Sequence, residues 1–199
     1  MGYSMSWAAV RGSTPEQVRN ALALLPTGTR EEFPESETTA EGLPGGWYMV
    51  VSNRDRLRLT SDDVLARLSA TGEVVACCVE EHVMFSSAAR WANGRPVWSV
   101  QHDAQRGIEH LEASGDLPPR FTAVRDELRA KEAAAGGRKA EVDYIFDVPV
   151  VLAQEFAGYR HDEDIPGLAE DAFEVLAATA PAEPQKPASA SWWRRLLGG

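Results

Sequence analysis

The chain has 199 residues, and its 30 acidic and 20 basic side chains leave a formal net charge of −10. Such a surplus of carboxylates repels phosphate backbones, which excludes nucleic-acid binding of the usual electrostatic kind. The longest apolar runs are far shorter than the roughly 20 residues that a membrane-spanning helix needs, so no transmembrane segment is predicted. Apolar residues make up 44% of the chain, enough for one hydrophobic core.

The N-terminus and the cysteines indicate the compartment. The first residues, MGYSMSWAAVRG, lack the basic start and the apolar core of a secretory signal peptide. The only cysteines, Cys77 and Cys78, are adjacent, and neighbours on a strand point to opposite faces, so a disulfide between them has poor geometry. Free thiols fit a reducing compartment, and we therefore expect a cytoplasmic protein.

The first part of the chain predicts strands alternating with helices. Residues 3–10 alternate in the manner of a strand, and Thr14 caps a helix that begins directly after it. Residues 30–46, rich in Glu, Thr, Pro and Gly, predict a loop. The apolar run at residues 47–51 predicts a strand buried on both faces, and residues 60–63 begin a second helix.

The centre of the chain, residues 73–103, predicts a three-stranded antiparallel meander. Its strongest signal is Asn93-Gly94, because both residues of a tight hairpin turn must accept a positive φ. A regular ladder extended from that turn places Trp91 and Trp98 on the same face of the sheet.

The second half of the chain predicts helices. The expected segments are residues 105–112, 121–135 and 147–159, with a last helix after Pro166-Gly167. The expected fold class is α+β, with a central antiparallel sheet of about five strands, packed helices and a helical C-terminal half. Residues 1–178 then form a single domain.

The C-terminal tail predicts a docking element. Residues 179–190 are a linker rich in Pro, Ala and Ser, expected to be disordered, that leads to a peptide at 191–199. Trp and Arg are favoured binding anchors, so the peptide is expected to dock on a partner, its own domain or, weakly, a membrane surface. Its candidate contact residues are Trp192, Trp193, Arg194, Arg195 and Leu196.

A polar cluster at the ends of the meander strands is a candidate catalytic set. Glu80, Glu81 and His82 are consecutive at a predicted turn, and a carboxylate beside a histidine can act as an acid–base pair. His102 and Asp103 end the third strand. These five residues would serve a small hydrolase or transferase. In the expected register His82 and His102 fall on opposite faces, and no phosphate-binding or nucleophile motif is present, so neither a metal site nor a cofactor is predicted.

Two acidic stretches predict a surface for a partner. Their candidate binding residues are Glu31, Glu32, Glu35 and Glu37 in the first, and Asp162, Glu163 and Asp164 in the second. Negative patches speed association with basic proteins. The leading hypothesis is therefore a non-catalytic bacterial protein-binding domain, and its specific form is an immunity- or antitoxin-like inhibitor of a basic partner.

Overall fold

The computed structural model describes residues 2–55, 57–137 and 142–179, and nine strands in these ranges form one sheet. The strands are β1 (Ser4–Arg11), β2 (Leu24–Glu31), β3 (Thr38–Leu43), β4 (Trp47–Asn53), β5 (Glu73–Glu80), β6 (Phe85–Ala92), β7 (Arg95–Asp103), β8 (Glu112–Gly115) and β9 (Phe173–Ala178). Their order is β2-β9-β3-β4-β1-β5-β6-β7-β8, and every neighbouring pair is antiparallel.

Four helices within the same ranges pack on the two faces of this sheet. They are α1 (Pro15–Ala21), α2 (Asp62–Leu68), α3 (Phe121–Ala134) and α4 (Asp147–Ala157), and a short 3-10 turn covers Ala104–Arg106. In the described ranges, no helix combines the length and the apolar character needed to cross a bilayer.

The central strands are buried on both faces, which gives the molecule two cores. In β1, Trp7 points towards α3 and α4, whereas Val10 points towards α1 and α2. Leu65 of α2 belongs to the second core and Leu152 of α4 to the first. This arrangement explains the continuous apolar run in β4, since a strand covered on both faces has no solvent side to alternate with.

The centre of the sheet has the connectivity of two interleaved split βαβ units. The order β3-β4-β1-β5 places β4 and β5 on either side of β1, with α1 following β1 and α2 following β4. β1 is therefore hydrogen-bonded along both of its edges and lies at the middle of the molecule.

The prediction of about five strands and a helical C-terminal half is wrong. Residues 173–178, expected in a helix, form β9, and residues 112–115, expected at the end of another helix, form β8 at the sheet edge. β3 lies inside the segment expected to be a loop. The physical reason is that β9 pairs with β2 and β3, more than 130 residues earlier, and local periodicity carries no signal of such pairing.

The meander strands are present at residues 73–103, but the predicted register is wrong beyond the hairpin turn. Asn93 and Gly94 have positive φ values of 52° and 73°, as the turn requires. Trp91 pairs with Pro96, and the next residue, Arg90, pairs with Trp98, so a bulge lies between these two pairs. One extra residue in β7 reverses the faces, so Trp98 packs in the core under α4 while Trp91 belongs to the opposite core.

Candidate functional site

The structure brings the two acidic stretches together around one pocket of about 260 Å³. The residues directly after β2 form one wall, and the segment between α4 and β9 forms the other. Its acidic lining residues are Glu32, Glu163, Asp164 and Glu170, and its large apolar lining residues are Phe33, Tyr159, Ile165, Leu168 and Phe173. We call this the acidic pocket.

The pairing of β2 with β9 explains why these distant segments meet. Glu31 lies opposite Phe173 in the ladder. Arg30 fastens the connection, since its Nε donates to the Asp171 carbonyl at 2.7 Å and its terminal nitrogen donates to the Ala172 carbonyl. The same guanidinium pairs with Glu41 of β3 at 3.1 Å. A basic residue thus holds the backbone of the two acidic walls side by side.

Some of the predicted binding residues are already engaged within the fold. Glu31 accepts hydrogen bonds from the backbone nitrogen and hydroxyl of Ser36 at 2.9 and 2.7 Å. Asp162 accepts from Arg160 at 2.6 Å, and Glu163 accepts from the amide of Gln154 at 2.7 Å. These carboxylates stabilise their own loops. Glu35 and Glu37 are exposed on the first loop but do not line the pocket.

Other carboxylates of the acidic pocket have no such role. Across residues 2–55, 57–137 and 142–179, Glu32, Asp164 and Glu170 form no hydrogen bond or ion pair. Phe33, between them, leaves 52% of its surface exposed, although it is a large apolar side chain. The pocket therefore offers unpaired negative charge beside an exposed aromatic ring, a combination that suits a binding surface.

A further set of predicted contact residues belongs to the C-terminal peptide. Trp192, Trp193, Arg194, Arg195 and Leu196 all lie outside the described residues. Their docking role stays a prediction.

Glu80 is the last residue of β5, and Glu81 and the exposed His82 begin the turn that leads to β6. The Nδ1 of His82 lies 2.7 Å from the Oε1 of Glu80, and Glu80 also accepts from the hydroxyl of Ser4. The Oε2 of Glu81 accepts from the backbone nitrogen of Tyr3 at 2.9 Å. Each of the two carboxylates thus ties the turn to the start of β1.

His102 is fully buried, and both of its ring nitrogens face acceptors. Nδ1 lies 2.7 Å from the carbonyl oxygen of His110, and Nε2 lies 2.9 Å from a carboxylate oxygen of Asp143. The carbonyl can only accept, and an ionised Asp143 can only accept, so this arrangement favours the imidazolium form of His102, in which both ring nitrogens donate. Burial opposes this charge, but the bonds to Asp143 and the carbonyl outweigh it and raise the pKa of His102.

The five catalytic candidates do not meet in one cavity. Asp103 lies two strands from Glu80, roughly 10 Å away at the usual strand spacing, and it caps the 3-10 turn by accepting from the backbone nitrogen of Gln105 at 3.0 Å. His102 is held by Asp143, a residue that the sequence reasoning missed. The available sequence signal is an Asp four residues before a predicted helix, since Asp favours Asx turns there; in the structure Asp143 accepts from the backbone nitrogens of Ile145 and Phe146.

The possible metal ligands and the two cysteine thiols of the described residues are further groups, besides the histidines, that could carry out chemistry. Among these residues, no group of three or more His, Cys, Asp or Glu side chains has the arrangement of a metal site. Burial raises the pKa of Cys78 to about 12 and that of the fully buried Cys77 as well, so both thiols are protonated at neutral pH.

Comparisons with known proteins add no relative to this description. The chain matches no protein-family model, no curated protein and no solved structure. The functional argument therefore depends on the geometry of its own residues.

Proposed function

We propose that the chain is a non-catalytic bacterial protein-binding domain that works in the cytoplasm and engages a basic partner through the acidic pocket. The observation that carries this proposal is the set of unpaired carboxylates, Glu32, Asp164 and Glu170, around the exposed ring of Phe33. Like charges gathered without partners repel one another and do not stabilise the fold. A partner that supplies the missing positive charge accounts for them.

The lining of the acidic pocket suits lysine or arginine side chains of such a partner. Their aliphatic stems can pack on the apolar lining residues Ile165 and Leu168, while their charged ends reach the carboxylates that also line the pocket. The face of Phe33 can contact a guanidinium or an ammonium group. Long-range attraction to the acidic surface would speed the encounter, as in inhibitors that must capture a toxic protein quickly.

An immunity- or antitoxin-like inhibitor is the specific form of this proposal. Such a protein acts by covering the surface of a basic toxin and needs no catalytic group of its own. The peptide at 191–199 would add a second contact to the partner, with its own domain and a membrane surface as its other candidate targets. The alternative, a small hydrolase or transferase, has less support, since both ring nitrogens of His102 are already engaged.

Charge reversal in the acidic pocket tests the proposal. The variant combines Glu32→Lys, Asp164→Lys and Glu170→Lys, and the matched control combines Asp116→Lys, Asp126→Lys and Glu127→Lys, three exposed residues that do not line the pocket. We expect the full chain and the control to capture one basic protein stoichiometrically from the native host, and the pocket variant to lose it. We also expect association of the full chain to slow as salt is added.

Two results would contradict the proposal. Capture that is equally strong with the pocket variant would show that the partner binds elsewhere. Capture that the control variant loses to the same extent would show that only net charge matters.

A further inference from the structure

A second cavity, of about 480 Å³, lies beside the turn between β5 and β6. Four carboxylates from separate parts of the chain line it: Glu81 from this turn, Asp143 before α4, Asp147 in the first turn of α4, and Asp162 after α4. His161 also lines it, and we call it the His161 cavity.

His161 is buried without the hydrogen bonds that its ring nitrogens require. Only 2% of its side chain is exposed, and neither Nδ1 nor Nε2 has a hydrogen-bond partner in the described part of the chain. Nε2 lies 3.5 Å from the Oε1 of Glu81, and Nδ1 lies 3.8 Å from the Oδ1 of Asp162. The edge-on ring of Tyr3, 4.9 Å away between centroids, holds the imidazole in this position. A buried polar group left unpaired is costly, so the arrangement favours a bound group that donates to the ring nitrogen that carries no proton.

The charges of the His161 cavity do not balance. Arg160 pairs with Asp147 at 2.9 Å and with Asp162 at 2.6 Å, and the imidazolium of His102 compensates Asp143. Among the described residues, four carboxylates therefore face Arg160, His102 and, when it is protonated, His161, which still leaves one negative charge without a cation. Burial raises the pKa of Asp147 even though Arg160 opposes the effect.

One side of the His161 cavity is apolar. Met84, Val142 and Phe146 line it, and Val142 leaves 54% of its surface exposed. A hydrated inorganic ion would gain nothing from this wall, whereas an alkyl chain would be removed from water by it.

We propose that the His161 cavity binds a small organic cation, an alkylammonium or alkylguanidinium group. Its N–H groups would donate to Glu81 and Asp162 and reach the unpaired ring of His161, and its alkyl part would pack on Met84 and Phe146. His161 lines the acidic pocket as well, but the proposal involves different carboxylates and does not depend on the partner protein.

The test uses the full chain with n-butylammonium, n-butylguanidinium, neutral butan-1-ol, Mg²⁺ and Ca²⁺ as probes. We expect the two organic cations to raise the melting temperature with saturation and to shift the ring resonances of His161 in NMR spectra. Butan-1-ol and the divalent ions should do neither. An equal response to butan-1-ol, a response to divalent ions alone, or no response to any probe would each overturn the proposal.

Substitutions on the β5–β6 turn give a matched comparison. Glu81→Gln should weaken binding of the organic cations by about tenfold, the size expected for losing a hydrogen bond to a charged group. Glu80→Gln changes the neighbouring carboxylate, which does not line the cavity, and should leave binding unchanged. The amide oxygen introduced by Glu81→Gln still accepts from the backbone of Tyr3, so the variant should fold, which circular dichroism checks. Asp162→Asn provides a second lining variant with the same expected weakening, and equal loss in Glu80→Gln would contradict the assignment.

Discussion

Glu73 and the acidic pocket show two opposite uses of carboxylates in one small chain. Glu73, at the start of β5, accepts from Arg11 at 2.8 Å and from Arg90 at 2.7 Å, and Arg11 also lies over the ring of Trp47. Burial by itself would raise the pKa of Glu73, but the two guanidinium groups outweigh it and lower the value. Glu32, Asp164 and Glu170 in the acidic pocket have no such neighbours among the described residues. Pairing, rather than the number of charges, separates a carboxylate that stabilises the fold from one that is available to a partner.

The buried pair of His102 and Asp143 is the extreme case of an engaged carboxylate, and breaking it should have the largest effect on stability. His102→Ala leaves Asp143 buried without its cation, which typically costs about 3–5 kcal/mol of the free energy of unfolding. Urea denaturation measures the loss. The control, His82→Ala, removes an exposed histidine of the β5–β6 turn and should cause no comparable change; equal losses in the two variants would contradict this role of the pair.

Glu73→Gln should have the next largest effect. It removes the charge that two arginines share while keeping the side-chain shape, and we expect a loss of about 1–2 kcal/mol by urea denaturation. Glu127→Gln on α3 is the control, since Glu127 is exposed and, within the described ranges, pairs only with Lys131, so no measurable loss is expected there. A loss in Glu73→Gln no larger than in the control would contradict the view that its two arginine partners make Glu73 a carboxylate that stabilises the fold.

A change of pH should distinguish the His102–Asp143 pair from Glu73, because their contributions to the free energy of unfolding are lost in opposite directions of pH. Neither change should exceed the loss expected for the corresponding substitution. The pKa of His102 is raised above 6.5, so its contribution is complete below pH 6.5 and is lost as the pH rises through the folded-state value. The pKa of Glu73 is lowered below 4.5, so its contribution is present above pH 4.5 and is lost as the pH falls. The difference in the free energy of unfolding between the natural chain and His102→Ala should therefore become smaller in alkaline solution. The corresponding difference for Glu73→Gln should become smaller in acid. Differences independent of pH would contradict the assignment.

Neutralising the unpaired carboxylates should have the smallest effect on stability. Glu32→Gln, Asp164→Asn and Glu170→Gln together remove mutual repulsion and no described interaction, so thermal melting should occur at the same or a slightly higher temperature. The same variant should lose the captured partner. A marked drop in the melting temperature would show that these side chains stabilise the fold and would remove the main argument for a binding role.

The sequence identified elements whose signals are local and missed those that depend on distant pairing. Asn93-Gly94 predicts its turn from two adjacent residues, and α3 and α4 follow from their own periodicity. β9 depends on β2, far away in the chain, and the bulge at Pro96 shifts a register that no short pattern encodes. Side-chain periodicity describes which residues can be buried, but not which strand they will meet.

The candidate site was predictable to the same limited extent. The two acidic stretches stand out by composition, but composition does not tell that Glu163 is engaged while Asp164 is unpaired among the described residues. Phe33 has no distinguishing signal in a loop of Glu and Pro. His161 becomes notable only once Glu81 is known to lie beside it, a contact between residues 80 positions apart.

The position of β9 between β2 and β3 also determines when the sheet can be completed. In the described part of the chain, β2 has no hydrogen-bonding partner strand other than β9, and β3 has β9 along one edge. During synthesis, β2 must therefore wait without its neighbour until residues 173–178 have been made. The seven strands β1 and β3 to β8 can already pair with one another by then. Closing so long a loop is slow, and the edge of β3 stays open to other chains in the meantime. The last of these strands to be made thus completes one side of the sheet and covers an edge where premature association could begin.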